Sequence, residues 1–366
     1  MKGECIKEKL KLGVSLAEKV AGKNLSLPIL SSIVIEAKGQ KFVLKATNLD
    51  VGLEYAVPGK VEEEGVAAVS GTLLASFLSA LSGEEVIQMG VVGNGLSVAN
   101  KRSSTILKTQ STEDFPVIPR VDAEATFTLP AELLTTGIRA VAYAASFSDI
   151  KPEIASIYIY TEPGEVVFVA TDSFRLAEKR IQSQDIEVAI PILIPFKNAS
   201  DIVRIFETVS GDVDVSVNKN QISLSSENIY FTSRLVAGVF PNYKQIMPAS
   251  RKTSVSLQKR DLVQSLKLTS LFSDRLNQVT FKIAPSEQLC EVESHNQEMG
   301  ENTTVLDATT EGEAIEISFN AKYILDCFQS ISDESILLAF NGPGRPLTLR
   351  SGRDQSFTYL VMPMNR

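Results

Sequence analysis

The side chains that most often carry acid–base or metal chemistry are scarce in this sequence. Its one histidine, His295, lies in the polar stretch EVESHNQEMGENT, which is typical of a solvated loop or strand end rather than of a general base. One histidine also leaves no Ser–His–Asp set, and no histidine or cysteine pair has the spacing of metal ligands. The sequence therefore predicts no catalytic residue, no metal and no other cofactor.

Two glycine-rich stretches and one acidic run are the remaining candidates for a ligand site. GVVGNG (90–95) and NGPGRP (341–346) match neither a Walker loop nor the dinucleotide fingerprint, and both are typical of hairpin turns. The run EEE at 62–64 could supply metal ligands, but consecutive acids point in different directions, so a solvated turn is favoured. Without an active-site set, the chain is expected to be a scaffold or a binding protein rather than an enzyme.

Cysteine usage and net charge limit where and how the protein acts. Cys5, Cys290 and Cys327 are few and far apart, so we expect free thiols in a reducing cytoplasm. No apolar run approaches the roughly 18–20 residues that cross a membrane, and the start MKGECIKEKLKLGV does not resemble a secretory signal. The net charge of −8 argues against a protein that grips nucleic acid through a basic surface. Any role on DNA must depend on a local patch or on something other than affinity.

Internal repetition is the main feature of the organisation that surrounds these residues. Residues 28–57 (PILSSIVIEAKGQKFVLKATNLDVGLEYAV) align without a gap with residues 152–181 (PEIASIYIYTEPGEVVFVATDSFRLAEKRI), at a constant offset of 124. The matched pairs are Pro28 with Pro152, Ser32 with Ser156, Ile33 with Ile157, and Ala46-Thr47 with Ala170-Thr171. The motif EDFPVIP (113–119) returns as GVFPNYKQIMP (238–248), and a weaker third copy begins near LNQVTFKIA (276–284).

Each copy follows one order of elements: helix, strands, helix, strands. Apolar periodicity predicts helices at 6–22, 72–83, 130–145, 198–211, 258–273 and 320–332, with Gly83 and Gly211 as C-caps of two of them. Short alternating runs between the helices, such as SIVIEA, KFVLKA, VDVSV, QISLSS and IYFTSRLV, predict half-buried antiparallel strands. We therefore expect an α+β fold of three tandem domains, at 1–120, 125–248 and 251–366.

Several stretches together resemble one family, the bacterial DNA polymerase III beta subunits, or beta sliding clamps. They are LPILSSIVIEA, ATNLDVGLEY, ATDSFRLAEKR, FTSRLVAGVFPNYKQIMP, FNAKYILDCF and the terminal YLVMPM, which span all three repeats in order. The resemblance implies DNA-clamp domains, each with two helices packed on a curved antiparallel sheet. It also implies a head-to-tail dimeric ring that encircles duplex DNA, with twelve helices lining the hole. Such a ring tethers the replicative polymerase and other partners and confers processivity without catalysis.

A ring held by topology needs no tight grip on phosphates, which reconciles the acidic charge with a DNA role. Arg260, Gln264 and Lys267 share one helix face, and the pairs Lys197/Arg204 and Lys7/Lys11 have similar helical spacing. Ordinary solvated faces would give the same spacing, whereas the resemblance favours the wall of the hole. The expected DNA-facing residues are Lys23, Asn24, Phe147, Ser148, Lys151, Lys197, Arg204, Arg260 and Lys267. The helix in TLLASFLSALSG carries no basic residue, so no DNA contact is assigned to it.

The apolar chain end, YLVMPMNR, is expected to border a partner site. The resemblance implies an apolar pocket between the second and third domains that binds a peptide of the form Gln-Leu-x-Leu-Phe. Its expected residues are Ile154, Thr171, Ser173, Phe174, Arg175, Leu176, Pro241, Gln245, Ile246, Leu360, Val361, Met362, Pro363 and Met364. A last strand that ends at Pro363 would equally explain the end, and alternate side chains could face the core and the pocket. Relatives commonly have Gly-His where this chain has Ser173-Phe174, and the end Asn365-Arg366 also departs from them.

The family resemblance also indicates a subunit interface, and several alternative classes of protein remain. By position, the interface should join Leu73, Phe77, Thr105, Ile106 and Leu107 of one chain to Leu271 and Phe272 of the other. Expected partners are duplex DNA, a second copy of the chain, the replicative polymerase, the clamp loader and other proteins with a clamp-binding motif, but no membrane. The alternatives are a trimeric processivity clamp with two domains per chain, an enzyme whose repeated sheets bind a nucleic acid or sugar, and a non-catalytic tandem-domain protein.

Overall fold

A computed structural model of the chain describes every residue except 23–26, 84–85, 149, 184–185, 187, 189, 249 and 365–366. The helices are α1 (Lys7–Val20), α2 (Gly71–Ala80), α3 (Ala131–Ala142), α4 (Phe196–Phe206), α5 (Lys259–Ser270) and α6 (Ala321–Asp326). Within the described ranges, no helix is long and apolar enough to cross a membrane. The strands are β1 (Lys2–Ile6), β2 (Ser32–Lys38), β3 (Lys41–Thr47), β4 (Val51–Glu63), β5 (Gly65–Ser70), β6 (Val86–Val92), β7 (Gly95–Ala99), β8 (Ser104–Gln110), β9 (Ala125–Pro130), β10 (Ser156–Glu162), β11 (Glu165–Thr171), β12 (Arg175–Gln182), β13 (Ile192–Pro195), β14 (Asp212–Val217), β15 (Gln221–Ser226), β16 (Ile229–Arg234), β17 (Thr253–Gln258), β18 (Gln278–Ala284), β19 (Leu289–Asn296), β20 (Gly300–Val305), β21 (Ala308–Gly312), β22 (Ile315–Asn320), β23 (Ser335–Phe340), β24 (Leu347–Ser351) and β25 (Phe357–Val361).

The chain folds into two compact units. Unit 1 comprises Met1–Thr135 and Lys197–Leu235, and its antiparallel sheet of twelve strands has the order β1-β6-β7-β8-β5-β2-β3-β4-β16-β15-β14-β9. Strand β4 pairs with β16 from Val51 to Tyr55, so the first and second repeats share one sheet here. Helices α1 and α2 both belong to this unit, together with nearly all of α4.

Unit 2 comprises Thr136–Phe196 and Val236–Arg366. Its larger sheet has nine strands in the order β13-β10-β11-β12-β25-β24-β23-β17-β21, and its smaller sheet has the order β20-β19-β18-β22. Strand β12 of the second repeat pairs with β25 at the end of the third, as β4 pairs with β16 in unit 1. The same joining of successive repeats therefore occurs once in each unit.

The two predicted helices of each repeat are confirmed, but each repeat opens with a strand, β1, β9 or β17, which the predicted order lacked. The last helix is shorter than its apolar pattern suggests: α6 ends at Asp326, and Cys327–Ser330 continues as a 3-10 turn. The two glycine caps were wrong, because α2 ends at Ala80 and α4 at Phe206, several residues before Gly83 and Gly211. Both glycines have positive φ, 89° and 105°, so they allow the loops after these helices to turn.

A hydrogen-bonded turn recurs at the same place in the first two repeats. In the first, the Thr47 hydroxyl donates to the Val51 carbonyl at 2.7 Å, while Asn48 Oδ1 accepts from two backbone N–H groups. In the second, the Thr171 hydroxyl donates to the Arg175 carbonyl at the same distance, and Asp172 Oδ1 takes the place of the asparagine. The Ala-Thr match in the sequence therefore reflects a shared structural element.

Two lysines at equivalent helix starts hold the end of the neighbouring helix. Lys7 is buried, and its Nζ donates to the Leu81 carbonyl at 3.2 Å just beyond α2. Lys259 begins α5, and its Nζ donates to the Ile331 carbonyl at 2.5 Å beyond α6. Carbonyl groups at a helix end attract a cation. The predicted basic face of Lys7 and Lys11 was therefore wrong for Lys7, whose charge is used inside the fold.

Candidate functional site

Strand pairing in unit 2 brings the apolar chain end to the second repeat. β12 and β25 are antiparallel neighbours, with Arg175 opposite Val361 and Leu176 opposite Leu360. All fourteen residues of the predicted partner pocket lie in this unit. Ile154, Thr171, Leu176, Leu360 and Val361 are buried, and Leu176 and Leu360 belong to the apolar cluster that forms the floor of the site.

The turn between β11 and β12 forms one wall of this site. Ser173 has φ of 78°, a left-handed conformation that is unfavourable for a residue with a Cβ atom. Asp172 Oδ1 accepts from the N–H groups of Phe174 and Arg175, both at 2.9 Å. The turn leaves the Phe174 ring 60% exposed, and the Phe174 carbonyl accepts from Met362 N–H at 2.7 Å. The phenyl ring thus stands beside the chain end.

The Arg175 side chain is buried and stabilises this turn instead of facing solvent. Its Nε donates to Asp172 Oδ2 at 2.9 Å and its Nη1 donates to Asp326 Oδ2 at 2.6 Å. The guanidinium also lies 4.6 Å from the centre of the Tyr323 ring. Burial lowers the pKa of Arg175, but Tyr359 and the two aspartates outweigh it and raise the pKa overall. The side chain therefore stays charged and bound to its partners.

The opposite wall is the segment from Phe240 to Met247. Phe240 and Tyr243 are buried against Val167, Leu176 and Leu360, and Tyr243–Ile246 forms a 3-10 turn. This packing leaves the side chains of Pro241, Gln245 and Ile246 exposed, with Ile246 at 49%.

Polar contacts also hold this wall. The Tyr243 hydroxyl donates to the buried Glu178 carboxylate and lies 2.7 Å from the Tyr160 hydroxyl. Burial, and then the Glu178 carboxylate, raise the pKa of Tyr243, which keeps its proton for this bond. Arg180 Nε donates to Glu178 at 2.8 Å, and Lys244 pairs with Glu162.

The chain end completes the rim. Met362, Pro363 and Met364 are half-buried after β25, and Met364 N–H donates to the Ser318 carbonyl at 2.8 Å. The predicted final strand is confirmed, and neighbouring side chains in it have different surroundings: Leu360 packs in the cluster with Phe240, whereas Tyr359 lies against Tyr143. All five residues of β25 are buried, because both faces of the sheet are covered here. The site is therefore an apolar floor between Phe174 on one side and Pro241 and Ile246 on the other.

The predicted DNA-facing residues are found at exposed positions wherever the structure describes them. Arg260, Gln264 and Lys267 are exposed on α5, whereas Leu262 and Leu266 are buried on its other side. Exposed residues also include Phe147, Ser148, Lys151, Lys197 and Arg204. The Phe147 ring packs edge to face on Phe196 at 5.1 Å. Lys23 and Asn24 lie outside the described residues.

The charge of the helices differs in sign from that of the chain. The six helices carry eleven basic and six acidic side chains, a net charge of +5, whereas the whole chain has −8. Helix α2 contributes none of these charges. Basic residues are thus concentrated on the helices, and the acidic excess lies elsewhere in the chain.

The predicted interface residues lie at the surface of their units. Leu73, Ile106 and Leu271 are each 60–62% exposed, and Phe77, Thr105, Leu107 and Phe272 are half-buried. Ile106 is on β8, which pairs with β7 along Ser104–Lys108 but with β5 only at its last two residues.

Strand β20 was not predicted from the sequence, and among the described strands it pairs with β19 alone. β20 carries Val305, which is exposed. GENTTV contains one strongly apolar residue and no alternation of apolar and polar residues, so its sequence gives little signal of a strand.

The apolar site of unit 2 can bind apolar side chains, but it offers no group that would react with a substrate. Among the residues with described positions, no three His, Cys, Asp or Glu side chains lie together as metal ligands. His295 is exposed near the end of β19, and the three cysteines are buried and free. The stretches GVVGNG and NGPGRP form hairpin turns, between β6 and β7 and between β23 and β24.

Family models cover almost the whole chain. The model for the N-terminal domain of the DNA polymerase III beta subunit matches residues 1–119, the central-domain model matches 128–242, and the C-terminal-domain model matches 244–365. The chain belongs to the DNA polymerase III beta subunit family. It is a sliding clamp, a non-catalytic subunit that confers processivity on a DNA polymerase.

Individual relatives agree with this assignment. The beta sliding clamp of Staphylococcus aureus is 24% identical over 355 residues, and the alignment covers 94% of each chain. Among solved structures, the beta subunit of Thermotoga maritima superposes with a TM-score of 0.94 at 24% identity, covering 100% of this chain and 99% of the other. The sliding clamp of Bacillus subtilis gives 0.92 at 23% identity with the same coverage. The three-domain clamp fold is therefore shared at low sequence identity.

Proposed function

We propose that two copies of this chain close head to tail into a ring around duplex DNA, with three domains per chain at 1–120, 125–248 and 251–366. The observation that carries the proposal is the net charge of +5 on the helices of a chain whose total is −8. A ring lined by basic helices attracts the DNA backbone, while the acidic remainder limits binding elsewhere. DNA is then retained by topology rather than by affinity.

The DNA-facing side chains in this proposal contact phosphates only. The residues are Lys23, Asn24, Phe147, Ser148, Lys151, Lys197, Arg204, Arg260 and Lys267. Phosphate contacts carry no sequence information, so the ring moves freely along any sequence. The exposed face of α5 supports this role, because its polar side chains project away from buried leucines.

The subunit interface joins two strands that have free edges. We infer that β8 of one copy pairs with β20 of the other, which would continue a sheet across the boundary. Leu73, Phe77, Thr105, Ile106 and Leu107 then face Leu271 and Phe272 of the second copy. The exposed leucines support this, since burial of each contributes about 1.5–3 kcal/mol.

The apolar site of unit 2 is proposed to bind a peptide of the form Gln-Leu-x-Leu-Phe from the replicative polymerase, the clamp loader and other partners. Its buried floor and two exposed walls suit an extended segment with two apolar anchors. Burying a Leu and a Phe gives about 1.5–3 kcal/mol each before ordering costs, which favours micromolar, exchangeable binding. A cytoplasmic location, expected from the free thiols, is part of the same proposal.

Native mass spectrometry tests the ring. The full chain should have twice its 39.8 kDa mass. The double variant Leu271→Ala/Phe272→Ala should be monomeric at the same concentration. Leu49→Ala is the matched control, because Leu49 is an exposed leucine outside the proposed interface. A trimer would favour the rival clamp type, and a dimer that survives the double variant would show that these residues are not the interface.

Fluorescence anisotropy with a labelled Gln-Leu-Ser-Leu-Phe peptide tests the partner site. Saturable binding should occur with the full chain and be lost when residues 362–366 are deleted, because the deletion removes the Met362 contact to Phe174. Circular dichroism checks that both proteins are folded. Absence of binding by the folded full chain would mean that Phe174 closes the site.

A further inference from the structure

A polar cavity of about 290 Å³ lies in unit 2, beside the apolar site rather than at it. Two arginines, Arg251 and Arg350, line it together with the hydroxyl-bearing Ser250 and Thr348. Leu337 and Ala339 of β23 contribute the apolar part of the lining. None of the lining residues is acidic, so the cavity has two positive charges and no negative one.

Neither arginine is neutralised by the surrounding protein. In the described part of the chain, no carboxylate pairs with Arg251 or Arg350, and Arg350 Nε is buried without a hydrogen-bond acceptor. By contrast, Arg175 and Arg180 in the same unit each bind two or more carboxylates. Arg350 is half-buried, and a half-buried guanidinium without an anion is unfavourable, whereas Arg251 is exposed to solvent. The cavity is therefore suited to an oxyanion that arrives from outside.

Strand register shows that this cavity adjoins the apolar site. Thr348, in the cavity lining, lies directly opposite Leu360, in the floor of the site. Opposite residues of an antiparallel pair point to the same face and lie about 5 Å apart. Arg350 is two residues further along β24, about 7 Å away. An extended peptide anchored near Leu360 would need roughly three residues to reach Arg350.

One chain segment borders both places. Met247 packs against the cluster that contains Leu360, and the next residue, Pro248, lines the cavity. A ligand that enters along this segment would meet the apolar floor first and the arginines next. The simplest source of the oxyanion is therefore the partner peptide that binds the apolar site.

We propose that the cavity binds the carboxylate of an acidic residue that flanks the apolar anchors of a partner peptide. This inference rests on the proposed peptide site. The arginines donate charge-assisted hydrogen bonds to the carboxylate, and the hydroxyls of Ser250 and Thr348 donate at its edge. The cavity therefore selects among partners that share the apolar motif, favouring those with an acidic flank.

The test compares three labelled peptides on the full-length protein: Gln-Leu-Ser-Leu-Phe with neutral flanks, with two glutamates before the motif, and with two glutamates after it. At least one of the two acidic peptides should bind roughly two- to five-fold more tightly than the neutral peptide at low salt. This gain in affinity should shrink as the salt concentration rises. Arg350→Gln and Arg251→Gln should each reduce the gain, and the double variant should abolish it. The neutral peptide should bind all variants equally.

Arg353→Gln is the matched control, because Arg353 is an exposed arginine of the same unit outside the cavity lining. The proposal is overturned if neither acidic peptide gains affinity, or if the gain survives in the double variant. It is also overturned if inorganic phosphate raises the melting temperature through these arginines while acidic flanks have no effect. If the unmodified protein does not bind the neutral peptide, the proposed apolar site is contradicted instead. Failure of the apolar site and failure of the cavity are therefore distinguishable.

Discussion

Tyr243 donates its hydroxyl hydrogen to the buried carboxylate of Glu178, and this bond joins the wall that carries Pro241 and Ile246 to strand β12. Tyr160 adds a second contact to the same hydroxyl at 2.7 Å. The position of the wall therefore depends on a polar bond as well as on the packing of Phe240. In the proposed site the peptide would lie between this wall and Phe174, so we expect the bond to control the distance between the two walls.

Tyr243→Phe should weaken binding of the Gln-Leu-Ser-Leu-Phe peptide. The ring stays in the core, but Glu178 loses a donor, which should lower the free energy of unfolding by about 1–2 kcal/mol. If about 1 kcal/mol of this energy positions the wall, the dissociation constant rises about five-fold. Anisotropy and chemical denaturation measure the two effects.

Tyr158→Phe is the matched control for this change. Tyr158 stacks between Tyr160 and Phe240, and its hydroxyl makes no hydrogen bond to another described residue. Its removal should therefore leave peptide affinity unchanged. Equal affinities of the Tyr243→Phe protein and the unmodified protein would show that packing alone positions the wall.

Much of the fold could be predicted from the sequence, because repetition amplifies a weak signal. The constant offset between residues 28–57 and 152–181 reports strands that form the same turn twice, with Thr47 and Thr171 in equivalent roles. Helical periodicity located α5 to within three residues, because Leu262 and Leu266 are buried while Arg260 and Lys267 are exposed. Local patterns sufficed wherever one face of an element is solvated.

Predictions failed where a distant contact overrides the local pattern. Lys7 has the spacing of a surface lysine, but the carbonyl of Leu81, 74 residues away, draws it into the interior. The burial of every residue of β25 could not be predicted from its own sequence, because the Phe240–Met247 segment that covers one of its faces is distant in the chain. The unpaired arginines of the cavity likewise have no sequence signature, since only the pairing of β24 with β25 brings Arg350 near the chain end.

Ser173→Gly should stabilise the protein. Ser173 has φ of 78°, which costs a residue with a Cβ atom about 1–2 kcal/mol. Glycine avoids this cost but loses about 0.5–1 kcal/mol through greater freedom in the unfolded chain. The net gain in unfolding free energy should be about 0.5–1 kcal/mol, measured by urea denaturation. Ser173→Ala keeps the Cβ atom and should show no gain; equal stabilisation by both would refute backbone strain as the cause.

The three cysteines should resist thiol reagents in the folded protein. Burial raises the pKa of Cys5 to about 12 and that of Cys290 to about 11, and it also raises the pKa of Cys327. Only thiolates react, so modification at pH 8 should be about two to three orders of magnitude slower than at an exposed thiol. Ser148→Cys supplies that exposed reference, and denatured protein should release all three thiols. Rapid reaction of the native chain would contradict this prediction.

The same shifts predict a loss of stability at high pH. The unfolded thiols ionise near pH 8.5–9, while the folded ones keep their protons to about pH 11 or above. Between these values the folded state binds more protons than the unfolded state, so the free energy of unfolding falls as pH rises. Replacing Cys290 by Ser should flatten this fall between pH 9 and 11 in denaturation curves, relative to the unmodified chain.

Asp201→Asn should stabilise the protein at neutral pH but not in acid. Burial raises the pKa of Asp201 to about 6, although Arg204, 3.3 Å away, opposes the shift. Since the unfolded carboxyl titrates near pH 4, the folded state binds more protons between pH 4 and 6, and stability falls as pH rises through that range. The variant should therefore be more stable at pH 7.5, by no more than about 1 kcal/mol because solvent screens a partly exposed group. The difference in stability should shrink at pH 4.5.

Asp212→Asn, at an exposed position, is the control and should show neither effect. A pH-independent difference for Asp201→Asn would mean that the pKa of the Asp201 carboxyl is not raised.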